Sequence, residues 1–310
     1  MGFVSILIIV LGLSLFEVIC SIDNAIINAE VLSTMSPKGR KWFLLWGLIF
    51  AVFVVRGVLP WLIVWFTVPG LGPIEAFTAA FSSDPVVHEA VESAAPILMM
   101  GGGVFLLFLF FHWLYLEQKN FGIFFEKHFQ KRGIWFYTVI SMLLLGIVWF
   151  ALKKSGALAF SAMIGSTAFF ITHGLKQSAE EGERNLKEKV MSDLSKIMYL
   201  EVIDMTFSID GVLGAFAFTM SVPIILLGNG LGAVIVRQLT IGNIDRIKRY
   251  RYLKNGAMYS ILALGTVMVL HGFGIALPTW VSPVLTFGVI GFFFLKSIQA
   301  NKKETQGSNV

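Results

Sequence analysis

Cysteine occurs once in the 310 residues, as Cys20, and charged side chains make up only 14% of the chain. One cysteine excludes an internal disulfide and any metal cluster built on several thiolates. So few charges exclude an ordinary soluble domain, in which roughly a quarter of the residues are charged. The first apolar run also lacks a basic start, is long for the apolar part of a leader, and carries Glu17, Asp23 and Glu30, so it is expected to stay in the protein. Apolar side chains take the place of charge: 56% of residues are hydrophobic and the mean hydropathy is +0.78.

That composition predicts an all-α polytopic membrane protein. Nine apolar segments fall near 3–32, 42–67, 95–116, 134–152, 157–176, 197–220, 222–242, 256–277 and 281–297. Most are long enough to cross a hydrocarbon core of about 30 Å, and seams at Lys153-Lys154, Ser221 to Pro223 and Pro278 to Pro283 leave eight or nine spans open. The chain reads as one transmembrane domain over 1–310, with repeat halves near 1–152 and 157–297 and a tail at 298–310. No Lys or Arg occurs from Val68 to Ala94, whereas alternate loops carry Lys38, Arg40 and Lys41, then Lys119 to Arg132, then Arg184 to Lys196, then Arg246 to Lys254. Basic loops are retained in the cytoplasm, so the expected topology is N-terminus outside and C-terminus inside, with Lys153-Lys154 the one violation. The basic loops, and a pI near 9.3, are then expected to meet anionic lipid rather than nucleic acid.

Within this apolar background a polar motif occurs twice. Residues 17–24 read EVICSIDN and residues 204–211 read DMTFSIDG, and each copy is followed in the next span by an arginine, Arg56 and Arg237. The loop charges make the two copies antiparallel, an inverted-topology repeat, in which substrates bind near the midplane on interrupted helices. Glu17, Ser21, Asn24 and Asn28 share one helix face, as do Glu201, Asp204, Ser208 and Gly211. Asp23 and Asp210 lie off those stripes, so either they address another neighbour or the helices unwind, for which Gly211 and Gly214 give a reason in the second copy.

Each acid at the centre of a span costs about 2.5–3.5 kcal/mol, and Glu17, Asp23, Glu201, Asp204 and Asp210 together cost on the order of 15. Arg56 and Arg237 neutralise two of the five, which leaves protons, a metal cation, or both. Carboxylate, amide and hydroxyl oxygens favour a hard divalent ion, Mn²⁺, Mg²⁺ or Ca²⁺, as the substrate. Glu17, Asp23, Asn24, Glu201, Asp204 and Asp210 are the expected metal-binding residues, with Ser21, Ser208, Arg56 and Arg237 as supporting ligands and counter-ions. His112, His173 and His271 are expected to pack at helix ends, Glu30 to reach an interface, and Gly101 to Gly103 to permit close helix contact. The stretch from Arg184 to Lys196 reads as a solvated helix between spans.

The motifs EVICSIDNA and LEVIDMTFSIDGV, with the Arg56 and Arg237 helices, resemble the TerC family of bacterial integral membrane proteins, within a superfamily of lysine-exporter type. The resemblance covers most of the chain and implies export of manganese or a related divalent cation, with a link to tellurite resistance. It implies the same six positions as the metal site, although Gly211 stands where the first copy has Asn24, so the half-sites differ. No enzymatic step is expected. An intramembrane aspartyl protease is disfavoured because no Tyr-Asp and Gly-x-Gly-Asp pair occurs. A non-transporting membrane component of a tellurite or metal-stress assembly is the rival reading. Which ion moves, whether protons exchange for it, and the oligomeric state stay open at this level.

Overall fold

A computed structural model describes residues 2–47, 49–68, 70–78, 85–118, 124–188, 192–242, 250–275 and 277–307. Among them the secondary structure is helical throughout, and seven helices are long and apolar enough to cross a membrane: Phe3–Cys20, Glu92–Leu116, Gly133–Leu152, Gly156–Ser178, Val222–Leu239, Leu253–Gly272 and Val281–Lys302. The chain is an all-α polytopic membrane protein. The second and sixth expected spans are also helical, but each is broken into shorter pieces.

In chain order the α-helices are α1 (Phe3–Cys20), α2 (Ile22–Ser33), α3 (Pro37–Trp42), α4 (Leu59–Thr67), α5 (Pro73–Thr78), α6 (Pro85–Leu116), α7 (Phe124–Gln130), α8 (Phe136–Leu152), α9 (Gly156–Glu188), α10 (Asp193–Phe207), α11 (Ile209–Ala215), α12 (Val222–Gly242), α13 (Leu253–Gly272) and α14 (Val281–Gly307). Between α3 and α4 the chain winds as π-helix over Phe43–Gly47 and again over Phe50–Val58, the stretch that carries Arg56. The chain divides into two compact units, one of residues 1–92 with 170–244, the other of 93–169 with 245–310. Both copies of the polar motif therefore fall in the first unit.

In that unit α1 packs on α11 while α2 packs on α10, so the two motif-bearing helices cross with opposite chain direction. Glycines let them approach. A methyl at Gly228 would lie 2.5 Å from Leu13 Cβ, and one at Gly232 would lie 2.6 Å from Glu17 Cβ, which seats α12 on α1 through a small-xxx-small pair. One end of the crossing is closed by polar contacts. Asp193 accepts from the Ser36 hydroxyl and, at 3.4 Å, from its amide, and Lys196 donates to the Thr34 carbonyl and hydroxyl at 3.1 and 3.0 Å. Beneath them Val31, Leu32, Met35, Phe43, Ile197 and Leu200 form a buried apolar cluster. The other end is closed by carbon, with the Phe16 ring 6.0 Å from that of Phe218 and against Gly214.

The second unit shows what the triple glycine does. A methyl at Gly101 would meet Ser161, one at Gly102 would meet Met268, and one at Gly103 would meet Val269 and the Gly265 carbonyl, so all three positions are close contacts between helices. His112 packs against the rings of Phe136 and Phe169, as a packing histidine should. The Lys153-Lys154 pair finds local partners: Lys153 lies over the Trp149 and Phe150 rings, and Lys154 donates to the Phe273 carbonyl at the end of α13. Glu126, in the insertion between Lys119 and Arg132, is fully buried and accepts from Asn255 Nδ2 at 2.7 Å, which pins α7 to α13.

Candidate functional site

The α-helix is interrupted at the same motif position in both copies. α1 ends at Cys20 and α2 begins at Ile22, while α10 ends at Phe207 and α11 begins at Ile209, leaving Ser21 and Ser208 as one-residue breaks. Flanking bonds survive, from the Ser21 amide to the Glu17 carbonyl and from the Ser208 amide to the Asp204 carbonyl, both 3.0 Å. The interruption is thus a local kink rather than an unwound loop. Asp210 lies in the first turn after its break. Asp23 holds the equivalent backbone position, but the side chains of Asp23 and Asn24, two of the expected ligands, lie outside the described residues.

Around the breaks an ion network is buried. Arg56, 2% exposed, donates through Nη2 and Nε to Glu17 Oε1 at 2.5 and 3.1 Å and through Nη1 to Asp204 Oδ2 at 3.4 Å. Glu17 and Asp204 are equivalent residues of the two motif copies, so one guanidinium bridges the repeat. Ser21 Oγ donates to the same Glu17 oxygen at 2.8 Å. Arg237 is held differently: its Nη2 donates to the Phe43 carbonyl at 3.2 Å and reaches Glu201 Oε1 at 3.5 Å, and the guanidinium lies 4.0 Å from the Phe43 ring centre. Planar, delocalised arginine suits both the bridging and the stacked role.

Asp210 is paired with a residue that sequence reasoning passed over. Lys176 Nζ, from α9, lies 3.0 Å from Asp210 Oδ1 and 2.9 Å from Oδ2. A lysine at the end of an apolar run reads as an interfacial anchor, and nothing in its neighbours distinguishes it from one. The charge balance changes accordingly. Instead of five acids against two arginines, the described side chains set Glu17, Glu201, Asp204 and Asp210 against Arg56, Arg237 and Lys176, one formal negative charge in excess.

Several buried oxygens in this unit have no hydrogen-bond donor: Glu17 Oε2, Glu201 Oε2, Asn28 Oδ1, Asn229 Oδ1 and Ser208 Oγ. Asn229, fully buried on α12, was not among the expected residues, although a lone amide between Gly228 and Gly230 in an apolar run is a signal of a polar site. Its Nδ2 donates to the Gly211 carbonyl at 3.4 Å. Gly211 also abuts Glu17, because a methyl there would lie 2.5 Å from Oε2. Similarly, a methyl at Gly47 would collide with Glu201 Oε1 and Arg237 Nη2. Glycine at both positions leaves the carboxylates room. Among the described residues no three His, Cys, Asp or Glu side chains converge closely enough to hold a metal ion by themselves.

No solved structure matches this chain. Two curated bacterial proteins do, over part of their length. An uncharacterised membrane protein of Rickettsia prowazekii (strain Madrid E) is 27% identical over 128 residues, 41% of this chain and 43% of that protein. An uncharacterised membrane protein of Rickettsia felis is also 27% identical over 128 residues, 41% of this chain and 42% of its own. The chain thus matches less than half the length of these relatives. A family described as a protein of unknown function, DUF475, matches residues 22–304, which take in the first motif from Ile22 onward, the whole second motif and both arginines. The chain belongs to that family of membrane proteins.

Proposed function

We propose that the protein transports a divalent metal cation, with Mn²⁺ favoured over Mg²⁺ and Ca²⁺, through a site at the two helix breaks. The observation that carries this reading is the set of buried acceptor oxygens without donors, on Glu17, Glu201, Asn28, Asn229 and Ser208. Each such atom costs about 1–3 kcal/mol if left alone, and a hard cation is the species that satisfies oxygens on different helices together. The net negative charge of the network and the interrupted antiparallel helices support the same reading. The resemblance to the TerC family adds export as the direction, and the excess of buried acids makes protons the candidate counter-flow. The expected setting is the bacterial inner membrane, N-terminus outside and residues 298–310 inside. Binding and release need no covalent chemistry, so no enzymatic role is proposed.

Glu17, Asp204, Glu201 and Asp210 are assigned as the charged ligands on this reading, with Asp23 and Asn24 from the first motif. Ser21 and Ser208 support them, and Arg56 and Arg237 act as counter-ions. The decisive measurement is metal-resolved uptake into everted vesicles. Vesicles holding the unmodified protein are expected to accumulate Mn²⁺, and those holding Glu17→Gln or Asp210→Asn at equal abundance are expected to lose at least about tenfold of that rate, the effect of about 1.4 kcal/mol. Absence of flux in sealed vesicles with the unmodified protein would instead favour the non-transporting assembly component.

A further inference from the structure

The three cations of the network are not alike. Arg56 is 2% exposed and bridges two acids, so withdrawing it would strand both. Arg237 is stacked on Phe43 and bonded to its carbonyl. The Lys176 side chain, 16% exposed, is a compact ammonium on a flexible four-carbon stem and reaches Asp210 from α9, outside the motif-bearing helices. Both oxygens of Asp210 face this one ammonium. A metal ion entering the site must therefore forgo Asp210 or take it from the lysine.

We propose that Lys176 is a tethered cation that occupies Asp210 until the transported ion displaces it, which makes Asp210 the exchange point of the site. The inference rests on the transport reading and adds to it a competitor built into the chain. Displacement also sets specificity by charge. A monovalent ion that replaces the ammonium brings no more positive charge to the acids than the lysine did, whereas a divalent ion brings one charge more. Repulsion between the arriving ion and the displaced ammonium then drives the lysine away from Asp210. On the return step Lys176 re-engages Asp210 and helps to expel the ion.

Mn²⁺ itself is the probe, with full-length protein purified in detergent. Amine acetylation of Lys176, followed by mass spectrometry, is expected to rise several-fold on saturation with Mn²⁺, while Lys254, paired with Glu117 in the other unit, serves as the unchanged control. In Asp210→Asn the labelling of Lys176 is expected to exceed that of the metal-free unmodified protein and no longer to rise with Mn²⁺. Lys176→Ala is expected to bind Mn²⁺ at least about tenfold more tightly by calorimetry, because the competing unit charge a few ångströms from the ion is gone. Failure of the unmodified protein to bind Mn²⁺ overturns this inference together with the transport reading. Binding that leaves Lys176 labelling unchanged overturns this inference alone, and needs no variant to fold.

Discussion

Arg56 is the residue whose loss should be felt most, since Arg56→Ala leaves Glu17 and Asp204 buried without their shared cation. Breaking a buried pair in this way costs about 3–5 kcal/mol, and the expected outcome is a marked fall in thermal stability in detergent. Glu17→Gln combined with Arg56→Met should recover part of that loss, because only Asp204, and no longer Glu17, is then left without the shared cation. The arginines were legible because a guanidinium in an apolar run demands a carboxylate, and the acids were legible for the converse reason. Lys176 was not, because a cation at the end of a span has an ordinary explanation in the interface. Asn229 carries no charge, so its cost is small enough to be lost among neutral residues, and only its burial and its unpaired oxygen bring it forward.

At the level of elements, the duplicated motif indicated two crossing helices, and interruption was one of two readings it allowed. Gly211 and Gly214 were the reason offered for unwinding. The break falls instead at Ser208, and at Ser21 in the copy that has no such glycines, while Gly211 and Gly214 make room for Glu17 and Phe16. Gly211→Ala should therefore weaken metal binding more than it straightens α11, which circular dichroism and Mn²⁺ titration would separate. The π-helical turns around Arg56 left no trace in the sequence, because in a uniformly apolar segment a wider turn presents the same kind of side chain to its surroundings. Elsewhere the packing is backbone on backbone: a methyl at Gly165 would collide with the Gly101 carbonyl. Gly165→Ala is expected to cost about 1–3 kcal/mol as overpacking, against no loss for Gly146→Ala, where nothing lies within 4 Å, by thermal denaturation of each variant.

For the whole molecule, alternation of basic and acidic loops predicts a C-terminal fluorescent fusion that glows and a C-terminal alkaline phosphatase fusion that stays inactive; an active phosphatase there would reverse the topology. Among the described residues seven helices are long and apolar enough to cross a membrane, while the second and sixth apolar segments are broken into shorter pieces, because hydropathy reads length and polarity but not continuity. The antiparallel crossing has a consequence at its two ends. One is fastened by an exposed carboxylate, Asp193, whose hydrogen bond from Ser36 holds its pKa below the usual range, and the other by the Phe16 and Phe218 rings. A depressed pKa means that Asp193 stabilises its fastening above the ordinary carboxylate range and that this contribution vanishes as pH falls through the lowered value. Hydrogen-exchange protection, corrected for the intrinsic rate at each pH, should therefore fall in acid at residues 34–39 and 193–197 while residues 213–218 stay protected. The aromatic end has nothing to titrate, so acid would loosen one end of this helix pair and leave the other closed.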